Sequence, residues 1–114
     1  MLARKHRLTG SNDFKKVQNE GKVFQSPNFG MAYLDRKDEL PPRFGFVIST
    51  KISKDAVDRN TIRRHMSETV RQMTNEVKNG LDVVFLAKMS VITVPAEELV
   101  KEVKKAVRQS EIAK

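Results

Sequence analysis

The 114-residue chain predicts one α+β domain, an α/β sandwich with its elements in the order α-β-β-β-α-β-α. Three observations carry this. "NFGMAYL" and "RFGFVIST" alternate apolar and small or polar residues at the period of two that a strand requires. Residues 55–77 place Ile62, Met66, Val70, Met73 and Val77 at spacings of four, four, three and four, one apolar stripe of a helix. "DVVFLAK" then follows as an uninterrupted apolar run, as in a strand covered on both faces. A strand, a helix and a second strand of these lengths make a β-α-β unit with parallel strands. The length suits a single domain, residues 1–114, with no room for a second core.

Taken in order, residues 1–9 form a basic N-terminal arm. "SNDFKKVQNEG" reads as the first helix, with Ser11 as its cap, Phe14 and Val17 on one face and Gly21 at its end. A short strand falls around Lys22 to Gln25. The strand with Phe29, Met31 and Tyr33 on one side comes next, and "DRKDELPP" turns the chain, because a double proline cannot extend a central strand. The strand with Phe44, Phe46 and Ile48 on one face follows. In the long helix, Asp55 at the N-cap and Asp58 at N3 sit where free backbone amides and the helix dipole favour negative charge. The last helix starts at Pro95, a residue suited to the first helical position, and turns Leu99, Val103 and Ala106 inward.

The formal charge is +8, and a domain this basic meets a polyanion. The excess is local. Arg4, Lys5 and Arg7 stand in residues 1–9 with no acid among them, and 51–72 hold six cations against three acids. With no cysteine, neither disulfides nor a Cys-ligated zinc hold the fold. No apolar run approaches the roughly 18 to 20 residues that cross a bilayer, and "MLARKHRL" lacks the apolar segment of a signal peptide, so a soluble cytoplasmic protein without a membrane partner is expected.

Arg59 and Arg63 are one helical turn apart, as are Asn60 and Arg64, and all four face away from the apolar stripe. Arg71, further along, is placed equally for a pair with Glu68 or for a polyanion. The 14 acids are scattered or explained by helix caps and balanced loops, and His6 and His65 have no catalytic partner in the sequence. No protein active site and no protein-bound metal is expected.

"VISTKISKDAVDRNTIRRHMSETVR" resembles the signature of the protein component of bacterial ribonuclease P, a strand ending in Ser and Lys followed by a helix with Ala-Val-x-Arg-Asn-x-x-Arg/Lys-Arg. "HRLTGSNDFKKV" is similar to the family's Arg-Leu and short helix with Asp-Phe, and "DVVFLAK" to its last strand. The resemblance implies a ribosomal protein S5 domain 2-like fold, with a central mixed sheet and a left-handed β-α-β crossover, against the usual right-handed rule. It implies one protein bound to one catalytic RNA subunit, assisting removal of the 5′ leader from precursor tRNA. Hydrolysis falls to the RNA with Mg2+ bound mainly by that RNA, and the protein alone is inactive.

The resemblance also assigns residues. Lys51, Lys54, Arg59, Asn60, Arg63, Arg64 and Arg71 would contact the RNA subunit. Lys5, Arg7, Phe14, Phe29 and Tyr33 would line a cleft for the single-stranded leader, between the first helix and the sheet. Read without it, Phe14 is as well explained by core packing. The chain departs from the family pattern at Thr61, His65 and Ser67 on the basic helix, and at Gln18 and Ala32, where aromatic residues often stand. Two other readings fit the composition. A ribosomal or other structural RNA-binding protein is one; a DNA-binding protein with the Arg59 helix in a major groove is the other, although a strand and not a second helix precedes that helix.

Overall fold

The computed structural model describes residues 2–114. Helix α1 spans Ser11–Glu20, strand β1 Lys22–Gln25, β2 Phe29–Asp35, β3 Arg43–Val47, helix α2 Ala56–Arg71, β4 Leu81–Ala87 and α3 Ala96–Gln109. The strands make one mixed sheet in the order β1-β2-β4-β3. β3 and β4, the two joined through α2, run parallel; the other neighbours are antiparallel.

Strand alternation divides the side chains into two layers. On one face Val23, Ala32, Val84 and Gly45 share a row, with Gln25, Gly30, Leu86 and Val47 in the next. Val17 of α1 packs here with Leu8, Ala32 and Val84. On the other face Phe24, Met31, Phe85 and Phe46 share a row. This face meets Ile62, Met66 and Val70 of α2 and Leu99, Val103, Ala106 and Val107 of α3. Phe85 lies 5.3 Å from Phe46 in a stacked pair and 5.6 Å from Phe29. Each such side chain contributes about 1.5–3 kcal/mol by leaving water, so this layer is the main core.

Helix α1 begins one residue earlier than the capping pattern predicts. Gly10 is the N-cap, at φ +93°, and Ser11 is already helical. Only a residue without Cβ adopts that angle freely, so the turn into the helix is made by the glycine and not by a hydroxyl cap. Gly21 does end the helix, at φ −80°. A Cβ there would lie 2.5 Å from both the Tyr33 and the Val17 carbonyl oxygens, so its need for glycine is close approach and not a left-handed turn. Pro95 likewise caps α3 from outside, its carbonyl accepting from the Glu98 and Leu99 amides at 3.0 Å.

Helix α2 is shorter than its apolar stripe. It stops at Arg71, and Met73 and Val77 are buried beyond it, Val77 in a bridge to Ala113. Periodicity reports which residues face the core, and here the core continues beneath a 3-10 turn, Thr74–Glu76, after the helix has ended.

From Leu2 onward the N-terminal arm is part of the fold. Arg7 pairs with Phe44 in parallel, the Leu8 amide donates to the Phe44 carbonyl at 2.9 Å, and Leu2 and Leu8 are buried. The arm thereby covers part of the outer edge of β3, whose unpaired backbone would otherwise invite other strands.

Candidate nucleic-acid interface

The N-terminal turn of α2 is tied together by its own side chains. Asp55 Oδ1 accepts from the Val57 amide at 2.8 Å, and the Asp58 carboxylate accepts from the Ser53 hydroxyl at 3.1 Å. Arg59 Nη1 donates to the Ser53 carbonyl at 2.7 Å, which fastens the preceding loop to the helix. Lys51 and Lys54 are exposed on that loop while Ile52 anchors it in the core.

The arginines are therefore not equivalent. Arg59 is half-buried and engaged with backbone. Arg63, also half-buried, donates to Asn60 Oδ1 at 2.8 Å, which aligns the two and leaves the Asn60 amide donors outward. Arg71 pairs with Glu68 at 3.0 Å, the local contact its spacing offers. Arg64 is exposed, and among the described residues its guanidinium has no hydrogen-bond or ion-pair partner, while its carbonyl accepts from the Ser67 hydroxyl at 3.2 Å. His65 turns the other way, beside Thr61 and Ile92 in a small depression of about 190 Å³. The acids near this surface serve the fold, and among the described residues no three His, Asp or Glu side chains converge as metal ligands would.

A groove of about 280 Å³ lies between the arm, α1, β3 and α2. Arg7 and Phe14 stand on one side, Arg63 and Ser67 on the other, with Gly45 and Phe46 between. Arg7 is held by its Nε, which donates to the Leu2 carbonyl at 2.8 Å. Phe14 is half-buried, its ring lying against Gly45. An aromatic face flanked by two guanidinium groups suits an unpaired base and its phosphates.

Beneath α1, one buried acid organises the end of the sheet. Asp82 is 4% exposed. It accepts from Arg43 Nε and Nη2 at 2.8 Å each and from Arg36 Nη1 at 2.5 Å. The Asp82 carboxylate beside it holds the Arg43 guanidinium above its ordinary pKa. Arg43 also reaches Asp13 of α1 at 4.0 Å.

The family model described as Ribonuclease P matches residues 2–111. The chain belongs to the ribonuclease P protein family. It is 37% identical over 89 residues to the ribonuclease P protein component of Gluconacetobacter diazotrophicus, covering 77% of this chain and 76% of that one. With the component from Bacillus cereus strain AH187 it shares 30% identity over 100 residues, 88% of this chain and 86% of that one. The solved RNase P protein of Staphylococcus aureus has the same fold, with a TM-score of 0.87 at 18% identity over 96% of this chain and 98% of that one.

For a ribonuclease P protein the expected leader cleft needs correction. Phe29 is fully buried against Phe85 on the α2 and α3 face of the sheet, so its ring is not available to a cleft under α1. Tyr33 has the same strand parity and faces that side too, its hydroxyl donating to Glu111 at 3.1 Å. Burial and then the Glu111 carboxylate push the Tyr33 pKa up. The physical reason is that both faces of this sheet are covered, so alternation separates two sets of residues without saying which set lies under α1. Lys5 is exposed beside Arg36, Pro41 and Arg43, in a depression separate from the Phe14 groove.

Neither Gly45 and Ser67 of this groove nor Arg43 is among the residues that the sequence assigns to a surface. The sequence does carry a signal for Gly45, since a glycine inside a strand often marks close approach by another group.

Proposed function

We propose that this chain, as the protein subunit of ribonuclease P, holds two RNA elements on adjoining surfaces. Lys51, Lys54, Asn60 and Arg64, with the outer parts of Arg59, Arg63 and Arg71, form the surface for the catalytic RNA subunit. The groove at Phe14 and Arg7 takes the single-stranded 5′ leader of precursor tRNA. One protein binds one RNA subunit, in the cytoplasm. The RNA carries out phosphodiester hydrolysis with the Mg2+ it binds, and this chain's side chains bind and position.

The observation that carries the reading is the shared groove. Arg63, from the helix that would face the RNA subunit, lines the same 280 Å³ groove as Phe14 and Arg7. A leader lying there would be contacted from both sides, next to the RNA that cuts its junction with the tRNA. Stacking of one base on Phe14 would be worth about 1–3 kcal/mol.

Reconstitution tests this. The purified protein alone should leave precursor tRNA intact, and added to the cognate RNA subunit it should restore cleavage at magnesium concentrations where the RNA alone is slow. Cleavage by protein free of RNA would contradict the reading. So would equal affinity for ribosomal RNA with no effect on tRNA processing, the result expected of a structural RNA-binding protein.

A further inference from the structure

Phe14 owes its position to a missing side chain. Gly45 is buried in β3, on the face that α1 covers, and an added Cβ there would overlap Phe14 Cζ and lie 2.5 Å from its Cε1. The three nearest atoms to that Cβ all belong to the Phe14 ring. Gly45 lies outside the positive-φ region, so its backbone tolerates any residue and only the space above it demands glycine. The preceding helix residue is tied to the same strand, because Asp13 faces Arg43 at 4.0 Å and Arg43 is locked onto Asp82 by two bonds of 2.8 Å. Successive residues of α1 thus meet alternate residues of β3, Asp13 at Arg43 and Phe14 at Gly45.

We infer that Gly45 is a positioning residue for leader binding: the absence of a side chain at 45 sets how deeply Phe14 sits, and with it how much of the ring and groove an unpaired base can use. The inference rests on the leader reading of the groove. A methyl group at 45 meets no backbone among its nearest neighbours, only the far end of a ring. The least costly response is for Phe14 to swing outward into the groove shared with Arg7 and Arg63, while β3 keeps its pairing with β4. The exposed face of α2 at Asn60 and Arg64 is untouched by that movement.

The test uses holoenzyme reconstituted with the cognate RNA subunit and compares binding of precursor tRNA carrying a leader with binding of mature tRNA lacking one. Gly45→Ala should weaken the leader-bearing substrate about tenfold, the loss expected when one base no longer stacks. Affinities for mature tRNA and for the RNA subunit should stay unchanged. In a Phe14→Ala background, Gly45→Ala should cost nothing further. The inference is overturned if Gly45→Ala leaves leader binding intact, weakens both substrates equally, or adds its full loss to that of Phe14→Ala. Should Gly45→Ala fail to fold, the double variant decides. With the ring gone it must regain the denaturant midpoint of Phe14→Ala, and failure to do so would mean that the clash lies elsewhere. A Phe14→Ala variant that binds leader normally would instead remove the leader reading itself, and this inference with it.

Discussion

Arg59 and Arg64 stand five residues apart on one helix and have different partners. Arg59 donates to the Ser53 carbonyl at 2.7 Å and is half-buried, whereas Arg64 is exposed. Arg59→Ala should therefore lower stability by about 1.5 kcal/mol, the lower end of the net worth of a hydrogen bond from a charged donor, because the side chain keeps some access to water. Arg64→Ala should stay within about 0.5 kcal/mol of the parent, as surface substitutions do. Denaturant midpoints of the two variants check this, and equal midpoints would mean that the Arg59 bond does not contribute. Helical spacing made the outward face of α2 and the Asp55 cap legible from the sequence. It could not show that Arg59 reaches back to a loop six residues earlier, because that contact depends on the path of residues 49–54, which follows no period.

At the scale of elements, the sheet shows the same division between what a pattern carries and what packing decides. The strands and both terminal helices could be read from alternation and periodicity, and β4 is indeed the strand covered on both faces. The side of the sheet that α1 occupies could not, and Phe29 and Tyr33 were assigned to the wrong face for that reason. Asp82 was equally silent. It reads as an acid opening an apolar run, yet in the fold it joins Arg36, Arg43 and thereby β2, β3 and β4 at one end of the sheet. Its side chain is 6% exposed, against 14% for Arg36 and 33% for Arg43. Removing a buried ion's partner costs about 3–5 kcal/mol, and since both arginines keep some access to water, Asp82→Ala should cost about 3. Thermal or denaturant unfolding reads the loss; a change under about 1 kcal/mol would show that the cluster is not a structural pin.

Across the whole molecule, the basic residues fall into separate uses. Some cations are paired within the chain, Arg36 and Arg43 on the buried Asp82 and Arg108 on Glu76 at the surface. Others remain outward on α2 and its preceding loop, next to a groove lined by Phe14 and Arg7. In the proposed function these adjoining surfaces have different tasks, α2 holding the RNA subunit by its phosphates and the groove holding the leader. The most direct measurement is a salt titration of RNA-subunit binding for Arg64→Ala and Phe14→Ala beside the parent. Each phosphate contact releases about one condensed counterion, so Arg64→Ala should flatten the slope of log affinity against log salt by roughly 0.7–0.9, while Phe14→Ala should leave slope and affinity as they were. An unchanged slope for Arg64→Ala, or a loss of RNA-subunit affinity in Phe14→Ala equal to that in Arg64→Ala, would contradict the division.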